Sequence, residues 1–160
     1  MTKPRDNQRS AVYKWERSLD AWPGEHLSLH ECRWWVHRVW LDYIPGDPPP
    51  KIKDGRGRRS GYGNRYVIKL PREARYELYV LHEVAHAIVH YRDRLRRTCA
   101  GHGPEYARLV LDLYSRYKGV SLSEGRRLGV HQRPRRVRFA TRARMEELSL
   151  KRLPRFRGHT

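Results

Sequence analysis

Apolar positions in this chain recur mostly at intervals of three and four, and the interruptions fall on proline and glycine. Val12, Trp15 or Glu16, and Leu19 predict a first helix over residues 7–19, which Trp22-Pro23-Gly24 breaks. Ser28 and Glu31 then form Ser-x-x-Glu, a capping box whose side chains satisfy two backbone donors that would otherwise be orphaned. The helix it opens runs to about Leu41, with Cys32, Trp35, Val36, Val39 and Trp40 on one side, a stripe that reads as core. No helix can cross the proline-rich stretch from Ile44 to Pro50. Beyond it, Lys51–Lys53 reads as a short strand and Asp54-Gly55 as a turn. Arg65–Leu70, β-branched and aromatic, reads as a better strand closed by Pro71. With a glycine-rich, basic turn at 56–63 between them, residues 51–70 predict a small, mostly antiparallel sheet.

The helical period returns after Pro71. Leu78, Leu81, Ala85 and Ile88 predict a helix over 72–91 with one inward side, followed by a charged loop at 92–100. Pro104 suits a first helical turn, where its missing N–H costs nothing. Tyr106, Leu109, Val110, Leu113 and Tyr117 form that helix's inward stripe, and Lys118-Gly119 ends it. A short helix at 121–129, a late strand at 135–140 and a last helix at 141–150 complete the reading, with disorder expected beyond Lys151. The predicted organisation is one domain over residues 1–130 and a basic, partly disordered C-terminal extension over 131–160.

Composition modifies this picture mainly through charge. The 160 residues carry a net charge of +18, so polyanions are the natural partners. Residues 126–160 hold twelve arginines and lysines against Glu146 and Glu147, which places ten of the eighteen net charges there. Clustered arginine binds phosphate through counterion release, so nucleic-acid contact through 126–160 is expected over a tail that only aids solubility. Cys32 and Cys99 provide neither a disulfide framework nor a Cys-x-x-Cys knuckle and read as reduced thiols. The first ten residues lack a signal peptide's apolar run, and no stretch approaches the roughly eighteen apolar residues of a membrane span. A cytoplasmic protein without a membrane partner is expected, its oligomeric state left open.

The most specific chemistry lies at residues 82–106. Residues 82–86 read His-Glu-Val-Ala-His, and residues 101–106 read Gly-His-Gly-Pro-Glu-Tyr. Histidines four apart on a helix rise about 6 Å and share a face, so His82 and His86 can reach one metal ion. Imidazole nitrogen suits zinc, which takes three protein ligands in catalytic sites, and Glu83 is placed to take a proton from an activated water. Three residues could supply the third ligand. His90 continues the series but sits about 6 Å further along the axis, where a supporting place near the site suits it better. Glu105 would make a His2Glu set, and His102 lies where the chain can return over the site. Tyr91, Tyr106 or an arginine of residues 92–97 could stabilise an oxyanion, and Cys99 reads as a packed cysteine.

HEVAH, a loop of about fifteen residues, then GHGPEY opening an amphipathic helix together resemble the SprT-like (Spartan) zinc metalloproteases. The resemblance spans about Val67 to Tyr117, roughly a third of the chain, and includes the order of a strand (RYVIKL) before HEVAH. It implies one zinc ion per chain on His82, His86 and His102, with Glu83 as the catalytic base. It also implies a zincin-like α+β fold, helices packed on a small sheet, and a protein or peptide substrate. The layout further resembles small actinobacterial and actinophage metallohydrolases, in AVYKWERSLD, in LSLHECRWWVHRVW and in the RGRR turn at 56–59. The zinc ribbon of the Spartan proteins has no counterpart, because two cysteines cannot build one.

The leading expectation is therefore a zinc metallopeptidase whose strand at 65–70 lies at a sheet edge and aligns an extended substrate. The competing expectation is a non-catalytic, basic nucleic-acid-binding protein with a structural or lost zinc site. That view accounts for the charge but leaves Glu83 without a role. A metal-dependent hydrolase acting on another bond is a third reading, because the motif specifies water activation and not the scissile bond.

Overall fold

The centre of the molecule is a helix with almost no solvent face. The computed structural model describes residues 4–95, 97–132 and 135–150. Within it helix α3, Glu77–Arg92, buries eleven of its sixteen residues, so it is packed on all sides and not along one stripe. Leu78, Leu81, Ala85 and Ile88 are fully buried as the spacing requires, but so are Val80, Val84 and Ala87. Helix α2, Leu29–Tyr43, and helix α4, Pro104–Lys118, flank α3, and a three-stranded sheet covers a further side.

Local chemistry explains the helix ends. Ser28 Oγ accepts from Glu31 N at 3.2 Å, and Ser28 N donates to Glu31 Oε2 at 2.7 Å, so the predicted capping box opens α2. Pro104 is the first residue of α4, and Gly119, at φ +67°, closes it in the left-handed conformation that glycine adopts without strain. Helix α1, Arg9–Arg17, is shorter than predicted and buries both Trp15 and Glu16. Trp15 Nε1 donates to the Gly125 carbonyl at 2.8 Å, tying α1 to helix α5, Leu122–His131. Trp40 is buried and Trp35 half-buried, whereas Trp34 points outward at 59% exposure, so the tryptophan cluster is only partly core.

The domain is α+β, as expected, but its sheet is mixed. Strand β1 (Lys51–Asp54) runs parallel to β3 (Val67–Leu70), and β2 (Tyr62–Gly63) pairs antiparallel with β3, in the order β1-β3-β2. The longer pairing is therefore parallel, and the mostly antiparallel expectation is corrected. The cause is Asn64, whose Oδ1 accepts from Tyr66 N at 2.8 Å and Val67 N at 2.9 Å. This tight turn reverses the chain inside the stretch expected to be a continuous strand. It also puts β3 in the middle of the sheet, so the edge strands are β1 and β2 and not residues 65–70.

Residues 135–140 form no strand. Gln8 occupies the place a neighbouring strand would take: its Oε1 accepts from Arg138 N at 3.0 Å and its Nε2 donates to Arg138 O at 3.1 Å. Val137 N donates to Gly129 O and Ala140 N to Pro104 O, both at 2.9 Å. Val137, Ala140 and Leu148 are buried, the last on helix α6, Arg142–Leu150. Among the described residues of the 131–160 segment, Val137 and Leu148 pack into the same core as residues 1–130. The disorder expected beyond Lys151 concerns residues outside the described ones. No helix among the described residues is long and apolar enough to cross a membrane.

Candidate metal centre

His82 and His86 project from adjacent turns of α3, and His102 reaches them from the loop that ends at the Gly103 cap of α4. One donor atom from each lies within 4.8 Å of the other two. The Nε2 atoms of His82 and His86 stand 3.2 Å apart. Two nitrogens bound at about 2.0–2.1 Å on a tetrahedral zinc would be separated by roughly 3.3 Å, so this pair has the right spacing.

Carboxylates turn two of the rings. His82 Nδ1 donates to Glu16 Oε1 at 2.9 Å, and His102 Nδ1 donates to Asp6 Oδ2 at 2.7 Å. A carboxylate only accepts, so each Nδ1 carries the proton and each Nε2 is directed to the shared centre. Asp6 Oδ1 also accepts from His102 N at 3.2 Å, which fixes the loop as well as the ring. Nε2 of His102 is buried and has no hydrogen-bond partner. An orphaned nitrogen facing two further imidazoles fits a bound cation and is costly without one.

Glu16 is the hub beneath this arrangement. It is fully buried and also accepts from Tyr114 Oη at 2.8 Å and, more distantly, from Tyr106 Oη at 3.5 Å. Burial pulls the His82 imidazole down, but the charge and hydrogen bond of Glu16 outweigh it, so its pKa is raised. Burial dominates at His102 and lowers its pKa despite Asp6. The Tyr106 ring stacks on His86 with centroids 4.3 Å apart, and Tyr79 stacks on His82 at 5.6 Å. Tyr13 lies against His82 at 5.5 Å and His102 at 4.9 Å.

Glu83 is buried beside His82, under β2. A Cβ on Gly61 would stand 2.5 Å from Glu83 Oε1, and one on Gly63 would stand 2.4 Å from the Glu83 carbonyl oxygen. Only glycine at these positions lets the strand lie so close. Burial pushes the Glu83 carboxyl up to about 7, with His82 and Arg58 pulling down and Glu16 pushing up. A carboxyl in that range is suited to exchanging protons near neutrality.

The structure brings His82, His86, His102 and Glu83 together, packs the Tyr106 ring against the three histidines and leaves the other candidates outside. His90 is exposed and lines the adjoining cleft. Glu105 pairs with Arg144 at 3.0 Å. The hydroxyl of Tyr106 is turned toward Glu16 in the core, which does not suit an oxyanion donor. Tyr91 donates to Asp47, and Arg92 donates to the Tyr43 carbonyl at 3.3 Å. Cys99 is a buried free cysteine outside the donor group, its thiol pushed up to about 12 by burial. The sequence reading did not find Asp6, Tyr13 or Tyr79. It placed Glu16 only as one of two residues on an apolar stripe, and a carboxylate at such a position was the available signal.

Comparison with family models, with curated proteins and with solved structures returns no match to this chain.

Proposed function

We propose that the protein is a zinc-dependent metallohydrolase, and specifically a metallopeptidase, with His82, His86 and His102 as zinc ligands and Glu83 as general base. The observation that carries this reading is the convergence of three imidazoles, one with a buried and unpartnered Nε2, beside a buried carboxylate. Three imidazole donors are one of the sets that catalytic zinc sites use, and a structural site would be closed by four. When bound, zinc supplies Lewis-acid polarisation of a water and of a carbonyl. Glu83 takes a proton from water as its oxygen attacks the carbonyl carbon, and returns that proton to the leaving nitrogen as the C–N bond breaks. The peptide bond as target rests on the resemblance of HEVAH and GHGPEY to the SprT-like proteases and on the sheet edge beside Glu83. The two buried thiols suit a reducing compartment, and on that ground we place the protein in the cytoplasm.

Tyr13 is the donor we assign to the developing oxyanion. It is half-buried against two of the histidines, and its hydroxyl makes no hydrogen bond among the described residues. Burial pushes the phenol up to about 12, against the pull of Arg9, so it stays a donor at neutral pH. Tyr13→Phe is expected to lower kcat by about 100-fold with little change in KM. An unchanged kcat would remove Tyr13 from this role.

The nucleic-acid reading is retained as an accessory function, because Arg126, Arg135, Arg136 and Arg138 are exposed and form no ion pair among the described residues. Casein hydrolysis measured with and without single-stranded DNA tests both parts. Hydrolysis that zinc chelation abolishes supports the peptidase. Stimulation by DNA that R135E/R136E/R138E removes supports the accessory surface. Zinc-loaded protein that cleaves neither casein nor peptides in either condition would overturn the peptidase reading. Substitution is preferable to deleting 131–160, since Val137 and Leu148 are core residues.

A further inference from the structure

A cleft of about 610 Å³ opens beside His86, between the β2–β3 turn and the loop preceding α4. Its lining is cationic. Arg65, Arg94 and Arg97 contribute to it, and Asp93 is the one carboxylate among the lining residues. Asp93 is already engaged: its oxygens accept from Thr98 N at 3.0 Å, Thr98 Oγ1 at 2.8 Å and Cys99 N at 2.8 Å. No ion pair among the described residues involves Arg65, Arg94 or Arg97.

The manner in which two of these arginines are held indicates what they can bind. The Arg94 guanidinium lies 3.9 Å over the Tyr91 ring, and that of Arg65 lies 4.3 Å over the Tyr66 ring. Stacking covers a flat face of each guanidinium; Arg94 Nη1 also donates to the Tyr91 carbonyl at 2.8 Å and Arg65 Nη2 to the Tyr66 hydroxyl, so the remaining N–H groups are those left for a planar anion. Nε of Arg65 is buried without a partner. The same stacking occupies one face of each tyrosine, which disfavours the base stacking that single-stranded nucleic acid uses. The strand β2, paired on one side only, borders the cleft and can lie along an extended chain.

We propose that this cleft selects peptide segments with acidic side chains next to the scissile bond, Arg65, Arg94 and Arg97 receiving the carboxylates. The proposal deepens the peptidase reading and rests on it for the position of the bond, whereas the charge preference is measurable by binding alone.

The test uses the full-length Glu83→Gln protein loaded with zinc and three fluorescent probes: an Asp/Glu-rich decapeptide, a Lys-rich decapeptide and a single-stranded oligonucleotide. Anisotropy is read for this protein, for the same protein carrying R65E/R94E/R97E, and for a control carrying R135E/R136E/R138E, which changes net charge equally. The acidic peptide is expected to bind about tenfold more weakly when the cleft arginines are reversed, a change of ~1.4 kcal/mol, and to be little affected by the control. Arg97→Glu alone, at an exposed loop position, is expected to lose about threefold and guards against misfolding of the triple variant. Equal weakening by both triple variants would mean general attraction to a basic protein and would overturn the proposal. So would loss of the oligonucleotide, and not the acidic peptide, on reversal of the cleft. If native protein cleaves peptides without preferring acidic ones, the proposal fails and the peptidase reading stands. If acidic peptide binds as expected and native protein cleaves none, the peptidase reading fails instead.

Discussion

Glu83→Gln is expected to reduce hydrolysis by about three orders of magnitude while leaving the fold and zinc content unchanged. The carboxylate is 3% exposed and lies under Gly61 and Gly63, so only a side chain of the same shape avoids disturbing β2. Glutamine has that shape but cannot take a proton, and a positioned general base contributes about 10²–10⁴-fold. None of the three imidazoles is altered, so zinc measured on the purified variant should match the native protein. Activity retained in this variant would remove Glu83 from the mechanism. Loss of zinc alongside loss of activity would show that the carboxylate holds the site together and does not carry the proton.

The second large effect is expected at Glu16, which no motif includes. Glu16→Ala should weaken zinc binding by about 10–100-fold, the usual consequence of removing the group that orients a ligand imidazole. It should also lower stability, because His82 Nδ1 loses its buried acceptor, at about 1–3 kcal/mol for an orphaned group, whereas Tyr114 Oη keeps the Leu78 carbonyl at 3.1 Å. Glu16→Gln keeps the volume and one accepting oxygen, so a smaller loss on both measures is expected. Asp6→Asn should be milder still, since that side chain is 27% exposed and water can replace part of what is lost. Chelator competition gives the affinities and thermal melts give the stabilities. Native zinc affinity in Glu16→Ala would refute the orienting role.

These two residues mark the difference between what the sequence reveals and what the fold supplies. Glu83 is legible because a single helix supplies His82, Glu83 and His86 at fixed spacing, and helical geometry is local. His102 is legible because Gly-His-Gly-Pro-Glu-Tyr resembles a known pattern immediately before a recognisable helix start. Glu16 and Asp6 lie 66 and 96 positions from the histidines they hold, and no periodicity connects such distances. The helices follow from capping, proline position and a 3.6-residue period. The sheet does not, because its direction depends on one asparagine turn and its edge on which strand that turn places outside. The segment at 135–140 has a strand's composition, yet a side chain and not a strand pairs with it, so composition misleads. The basic extension reads as separate from the domain because its charges mask the buried Val137, Ala140 and Leu148 among its described residues.

The central claim is that three imidazoles form one zinc site, completed by His102. Calorimetric titration of chelator-stripped protein with zinc, native against His102→Ala, tests it most directly. The account predicts one zinc per native chain and an affinity at least about 100-fold lower in His102→Ala, because a buried ligand, one of three, is lost. Native protein that binds no zinc, or His102→Ala binding it as tightly as the native chain, would contradict the account.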